Sequence, residues 1–364
     1  MNDFVFTSES VCAGHPDKIC DSISDAILDD VLKQDPQGRV GVETLVAFNK
    51  VLIVGEITAN AKVDYEKIAR KRIRDLGYTN PLFNFTDQSP IEIDIHEQSP
   101  EISKGVKVKG AGDQGMMYGF ACKETKSLMP LPIMMAHRLA QKLDEVKKKT
   151  LPFLRPDGKT QVTIEYKNGI PYKVLQVVIA VPHDEKKTLA QVKHAVYKEV
   201  VKKVLDEFGF KINEKNLIVN GTGIWHMPGP ASDSGLTGRK IIVDTYGGYA
   251  RVGGGAFSGK DPTKVDRSGA YAARFLAKHV VKEKLADKAE VRLAYFIGAK
   301  KPVMLDIETF GTEKAPVSVI KKFMSEILDT SVQGIIDELD LQRPIYLATS
   351  VYGHFGRPEF SWEK

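Results

Sequence analysis

The sequence predicts an α+β fold of three similar domains, and three observations predict it. An order of helix, strand, strand, helix occurs three times along the 364 residues. That length suits two or three domains of about 100–200 residues each. Glycine-rich, helix-poor stretches at 105–119, 220–238 and 246–261 break up the patterned parts. A single parallel sheet would alternate strand and helix evenly, and the repeats are far longer than solenoid periods. We expect domains at residues 1–105, 106–230 and 231–364.

The first unit opens with a helix over 16–33. Ile19, Ile23, Ile27 and Val31, with Ala26, recur at helical spacing, and Pro16 suits the first helical position. The β-branched runs 40–47 and 51–58, joined by Phe48, Asn49 and Lys50, read as paired strands. A charged amphipathic helix over 64–76 closes the unit. In the second unit a helix over 133–148 precedes strands at 161–166 and 173–181 and a helix over 188–208. In the third, a helix over 263–284 precedes strands at 290–297 and 303–310 and a helix over 316–328.

Composition excludes several classes. With 42% hydrophobic and 27% charged residues the chain is of ordinary globular make-up, not a disordered one. The formal charge of +5 is a mild surplus, concentrated in lysine-rich helical stretches that read as solvated faces. A nucleic-acid binder would more often carry a basic stripe with interleaved aromatics, so no nucleic-acid partner is expected, while a small polyanionic substrate fits. Cys12, Cys20 and Cys122 are odd in number and lack metal-ligand spacing, which fits a reducing compartment. No apolar run reaches the ~18 residues of a membrane span, and none near the start is long enough for export. A cytoplasmic protein with no membrane partner is the expectation.

Four segments could carry chemistry. Gly14-His15-Pro16-Asp17-Lys18 starts the first helix, where unpaired N–H groups and the helix dipole favour anions. His15 and Lys18 can donate to phosphate and Asp17 can hold Mg²⁺, although the same residues would also start an ordinary helix. Gly254 to Lys260 almost spells a P-loop, but Asp261 stands where Ser or Thr would bind Mg²⁺ and Pro262 follows, so a P-loop NTPase is rejected. A glycine-rich loop bringing Lys260 and Lys264 to phosphate remains. Asp233-Ser234-Gly235-Leu236-Thr237-Gly238-Arg239-Lys240 suits a phosphate tail or a plain solvated turn. Gly110-Ala111-Gly112-Asp113-Gln114-Gly115 can be a turn and is weak alone.

Taken jointly, these residues resemble one family. Phe6-Thr7-Ser8-Glu9-Ser10-Val11 with the 14–18 segment, the 110–115 segment, residues 253–267, and Tyr352-Gly353-His354-Phe355-Gly356-Arg357 look like the signatures of the S-adenosylmethionine synthetases, in the family's order across nearly the whole chain. The resemblance implies three α+β domains about a pseudo-threefold axis, and homodimers or homotetramers with active sites between subunits. The implied substrates are ATP and L-methionine. The thioether sulfur attacks C5′ of ATP, and the triphosphate released is hydrolysed to phosphate and diphosphate.

That chemistry agrees with the residues. A thioether carries no proton, so no general base and no Ser-His-Asp or Cys-His arrangement is needed, and none is evident. The reaction needs restrained in-line geometry and stabilisation of a polyanionic leaving group. By resemblance, His15 assists triphosphate departure, and Lys159 contacts the phosphates with Arg239, Lys240 and Lys260; Asp157, Gly158 and Ala256 join the ATP site. Asp17 and Asp266 resemble Mg²⁺ ligands (two ions per site), and Glu43 a ligand of an activating K⁺. Glu56, Gln98 and Lys264 resemble methionine-binding positions, with Asp113 and Asp233 near the adenosyl–methionine junction. Apart from the resemblance, Glu43 and Glu56 lie in strand-like runs and could simply face solvent.

Two departures stand out. In the ATP region, Ile224 replaces the family's arginine and Trp225 its phenylalanine. Trp225 still offers an aromatic face to adenine, but an arginine contact is lost. The stretch 102–109 is shorter than the family's mobile loop, so we expect altered gating, which product-release rates would test. A kinase or ligase, leaving a nucleotide phosphate, and a catalytically silent regulatory subunit are the rival readings.

Overall fold

The computed structural model describes residues 3–97 and 110–364. Strand β1 (Phe4–Val11) leads into helix α1 (Pro16–Gln34), β2 (Arg39–Ala47), β3 (Lys50–Thr58), α2 (Tyr65–Asp75) and β4 (Ile91–His96). Then come β5 (Gly115–Cys122), α3 (Leu131–Lys147), β6 (Lys159–Lys167), β7 (Ile170–Ala180), α4 (Leu189–Val196), α5 (Lys202–Glu207) and β8 (Leu217–Val219). The last part holds β9 (Gly235–Leu236), α6 (Ile241–Asp244), α7 (Val265–Lys282), β10 (Lys288–Tyr295), β11 (Met304–Glu308), α8 (Val317–Ile327) and α9 (Val332–Glu338). Helix and sheet are mixed as expected, in an α+β architecture with three sheets.

The helices and hairpins read from periodicity are present. Asp64 caps α2 by accepting the N–H of Lys67, and Thr188 and Gln191 form a capping box at α4. The helix expected over 188–208 is interrupted by a π-turn at Tyr197–Val201. The apolar run after Lys240 forms the short helix α6. Strands β1, β4, β5, β8 and β9 and helix α9 have no counterpart in the sequence reading.

Sheet order shows why those strands matter. One sheet runs β4-β3-β2-β9, a second β1-β6-β7-β8 and a third β11-β10-β5. Each therefore takes one strand from a distant stretch of chain. Strand β1 pairs antiparallel with β6 from Phe4↔Tyr166 to Val11↔Lys159. Strand β5 pairs with β10, and β9 with the end of β2.

Helix α1 is buried along most of its length on every side. Its charges are kept by partners: Lys18 pairs with Asp21 at 3.0 Å and with Asp244, and Asp25 pairs with Arg267. One core surrounds α1, β2, β3, α7 and the C-terminal segment, and another lies between α3, β6, β7 and α4. Among the described residues no helix is long and apolar enough to cross a membrane.

Candidate active site

The structure brings the expected residues into two groups. The first gathers at the N-terminus of α1. His15 is the N-cap residue, with φ −64° and ψ 140°, and its Nδ1 accepts the N–H of Asp17 at 3.2 Å. Burial, then Lys240, Lys159 and Lys18, push its pKa down to about 3, against the opposing pull of Asp17. The ring is therefore neutral, and because Nδ1 accepts, its one proton sits on Nε2 as a donor.

Asp17 lies beside it. Its Oδ1 receives the N–H of Leu236 at 3.0 Å and Nε of Arg239 at 2.9 Å, and its Oδ2 receives Lys240. Burial alone would raise this carboxyl, but Lys240 and the Leu236 N–H outweigh it and hold it below the usual range. Lys159 reaches the same place through the register Val11↔Lys159, continued by the Cys12 N–H donating to the Gly158 carbonyl at 2.9 Å.

Asp157 is buried, with its oxygens on the N–H groups of Gly158 at 2.6 Å and Gly229 at 2.9 Å. Burial pushes its pKa up to about 6 against those two bonds. It joins the 155–159 turn to the turn at Gly229–Ala231, just ahead of the exposed Asp233. Trp225 is half-buried and donates its indole N–H to the Met227 carbonyl at 2.6 Å, while Ile224 is 69% exposed.

The second group lines a cavity of about 510 Å³ over the outer face of β2 and β3. Glu43, Glu56, Asp113, Ala256, Lys260, Lys264 and Asp266 all border it. Lys260 Nζ lies 2.6 Å from Asp266 Oδ2, and Lys264 Nζ lies 2.5 Å from Asp261 Oδ2. The glycine-rich loop docks along β2. The Val42 N–H donates to the Gly259 carbonyl at 3.1 Å, and the Val40 N–H to Asp261 Oδ2 at 2.8 Å. Asp261 thus serves as a buried anchor for the strand and for Lys264.

The turn at 235–240 connects the groups. Thr237 borders the cavity and receives the Thr44 N–H at 2.9 Å, while Arg239 and Lys240, a few residues on, reach Asp17. Reading the sequence did not single out Thr237, His96 or Asp25. His96 borders the cavity from β4, and Asp25 holds the glycine-rich loop from below. His96 pairs with Glu56 across the β3–β4 ladder, and alternation along β4 would have given its face but not that register. Gln98 and the stretch 102–109 lie outside the described residues. Among the described residues no three His, Cys, Asp or Glu side chains cluster to hold a metal; Glu43 and Asp266 border the same cavity, while Asp17 belongs to the first group.

Comparison with known proteins covers the whole chain. Residues 3–100, 108–225 and 227–364 match the N-terminal, central and C-terminal domains of S-adenosylmethionine synthetase. The S-adenosylmethionine synthase of Treponema denticola is 51% identical over 372 residues, covering 99% of this chain and 95% of that protein. Those of a Sulfurovum species and of Clostridium tetani are each 50% identical, covering 100% and 99% of this chain and 96% of each relative. With three consecutive domain matches spanning both groups of site residues, and half of all positions shared with such relatives, the chain belongs to the S-adenosylmethionine synthetase family.

Proposed function

We propose that the chain makes S-adenosylmethionine from ATP and L-methionine, with the triphosphate leaving from the N-terminus of α1. His15, capping the N-terminus of α1 beside Lys240 and Lys159, carries this reading. An imidazole N–H at a helix N-terminus can donate to an anion that the dipole and the neighbouring lysines attract.

In the reaction the sulfur lone pair forms the S–C5′ bond as the C5′–O bond breaks. The electron pair stays on the triphosphate, and no proton moves. Lys159, Arg239, Lys240 and Lys260 meet the growing negative charge, and Asp113 and Asp233 offset the sulfonium. Glu56, Gln98 and Lys264 orient methionine, and Trp225, with Ile224 and Ala256, borders adenine. Hydrolysis of the triphosphate to phosphate and diphosphate follows in the same anion site.

The oxygen-only donors at Asp17 and Asp266 suit Mg²⁺, which takes one or two carboxylates and completes its shell with phosphates and water. Asp17 is paired with Lys240 and Asp266 with Lys260. When bound, Mg²⁺ neutralises phosphate charge, and K⁺ at Glu43 would activate from the cavity rim. Membership of the family leads us to propose a homodimer or homotetramer with active sites between subunits. A cytoplasmic setting fits this reading, and segments 1–105, 106–230 and 231–364 remain our domain proposal, with each sheet taking one strand from another segment.

The test is incubation of the purified chain with ATP, methionine, Mg²⁺ and K⁺, with products separated by chromatography. Methionine-dependent S-adenosylmethionine with phosphate and diphosphate is expected. ADP would instead establish a kinase, and intact ATP a silent subunit.

A further inference from the structure

Two residues of α3 that the proposed chemistry does not use grip both turns of the triphosphate site at once. Asp144 and Lys147 stand one helical turn apart, their side chains 17% and 9% exposed. Asp144 Oδ2 receives the backbone N–H of Ala13 at 2.8 Å and the hydroxyl of Tyr352 at 2.7 Å, and its Oδ1 receives Lys147 Nζ at 2.9 Å. Lys147 Nζ also donates to the backbone carbonyl of Asp157 at 2.6 Å. Ala13 lies two residues before His15, and Asp157 two residues before Lys159.

The gripped backbone is unusual on both sides. Asp157 has φ +82°, a strained conformation for a residue with a side chain, which persists only where its surroundings hold it. Gly14 passes so near that a Cβ there would lie 2.8 Å from the Asp157 nitrogen. Neither turn can therefore shift without moving the other. Burial opposes the charge of Lys147, but Asp144 overcomes it and raises its pKa, so the bond to the Asp157 carbonyl is charge-assisted.

We propose that the Asp144–Lys147 pair is a positioning element for adenosyl transfer, setting the separation of His15 from Lys159 and with it the geometry in which the triphosphate departs. This rests on the reading of His15 and Lys159 as triphosphate-holding residues. Neither Asp144 nor Lys147 touches substrate; both act through the turns they hold.

The test compares Lys147→Met, Asp144→Asn, the double variant and Lys147→Arg with the parent enzyme, at a temperature where all are folded. A small misplacement of reacting groups costs up to about 100-fold, so Lys147→Met should lower kcat/KM for ATP by about 10–100-fold. The KM for methionine should stay within about twofold, since its site is elsewhere. Lys147→Arg, which keeps the charge and the donors, should retain most of the rate. The double variant should lose no more than Lys147→Met alone, because the two act as a unit. If Lys147→Met does not fold, the milder Asp144→Asn carries the same test.

Lowered thermal midpoints with kcat/KM for ATP unchanged would overturn the proposal, and so would additive losses in the double variant. His15→Ala and Lys159→Ala are assayed alongside. If those two keep parental ATP kinetics, the triphosphate reading falls and takes the proposal with it. If they lose rate while the α3 variants do not, the positioning proposal alone falls.

Discussion

Arg267 closes a two-pronged ion pair on Asp25, at 2.8 and 3.1 Å, with both side chains wholly buried. The same carboxylate receives the N–H of Gly259 and the hydroxyl of Ser258, each at 2.9 Å. The pair thus ties α1 to α7 and anchors the loop that ends in Lys260. Asp25→Asn would leave the guanidinium buried and uncompensated, at a cost of about 3–5 kcal/mol. The thermal midpoint should fall by several degrees. Replacing both partners by apolar residues, as in Asp25→Leu with Arg267→Met, should restore much of that stability but little activity, because Gly259 still loses its anchor. A double variant as unstable as the single one would refute this.

Gly259 itself has no room for a side chain. Its φ is +80°, and a Cβ would lie 1.9 Å from the Val42 carbonyl oxygen. Gly259→Ala should lift the loop from β2 and displace Lys260. With one preorganised charge lost from the site, kcat should drop by about 100-fold or more. Steady-state kinetics with ATP would check it, and a near-parental kcat would separate the loop from the chemistry.

Ile224 stands 69% exposed beside the half-buried Trp225. Ile224→Arg should leave stability within about 0.5 kcal/mol, as for most surface changes. If the residue borders ATP, the added guanidinium should lower the KM for ATP and leave that for methionine unchanged. Equal KM values in variant and parent would remove Ile224 from the nucleotide site.

Asp29, near the end of α1, receives the N–H groups of Tyr346 and Leu347, each at 2.9 Å. Burial pushes its pKa up to about 6 from the ordinary 3.8, against the two bonds. Between those values the folded chain holds a proton that the unfolded chain has released. Its contribution to stability is then present below about pH 4 and is lost as pH rises through about 6. Asp29→Asn lacks this loss, so the midpoint difference between variant and parent should shift in the variant's favour from about pH 4 to pH 7. A difference that stays constant with pH would contradict the shift.

Local patterns were readable wherever an element's own face decided it. The spacing of Ile19, Ile23, Ile27 and Val31 identifies α1, and the β-branched runs around Asn49 identify the β2–β3 hairpin, whose turn residue Asn49 has φ +47°. The glycine-rich segments and the 14–18 motif pointed to a family only jointly, since each by itself also reads as an ordinary turn or helix start. Strands β1, β5 and β9 were not readable. Their partners lie more than a hundred residues away, as in Val11↔Lys159, Cys122↔Lys288 and Leu45↔Leu236. Short polar or glycine-bearing stretches such as Gly235-Leu236 also carry no period of their own.

By itself, then, the sequence determined most of the helices, the β2–β3, β6–β7 and β10–β11 hairpins, and the family. Only the tertiary structure decided that His15 is neutral with its proton on Nε2, that Lys159 lies beside it, and that Asp25 and Asp144 sit beneath the loops. Helical and strand periodicity report what one segment buries. Burial of a titrating ring, and the hydrogen bonds that hold a turn, depend on chain brought in from far along the sequence.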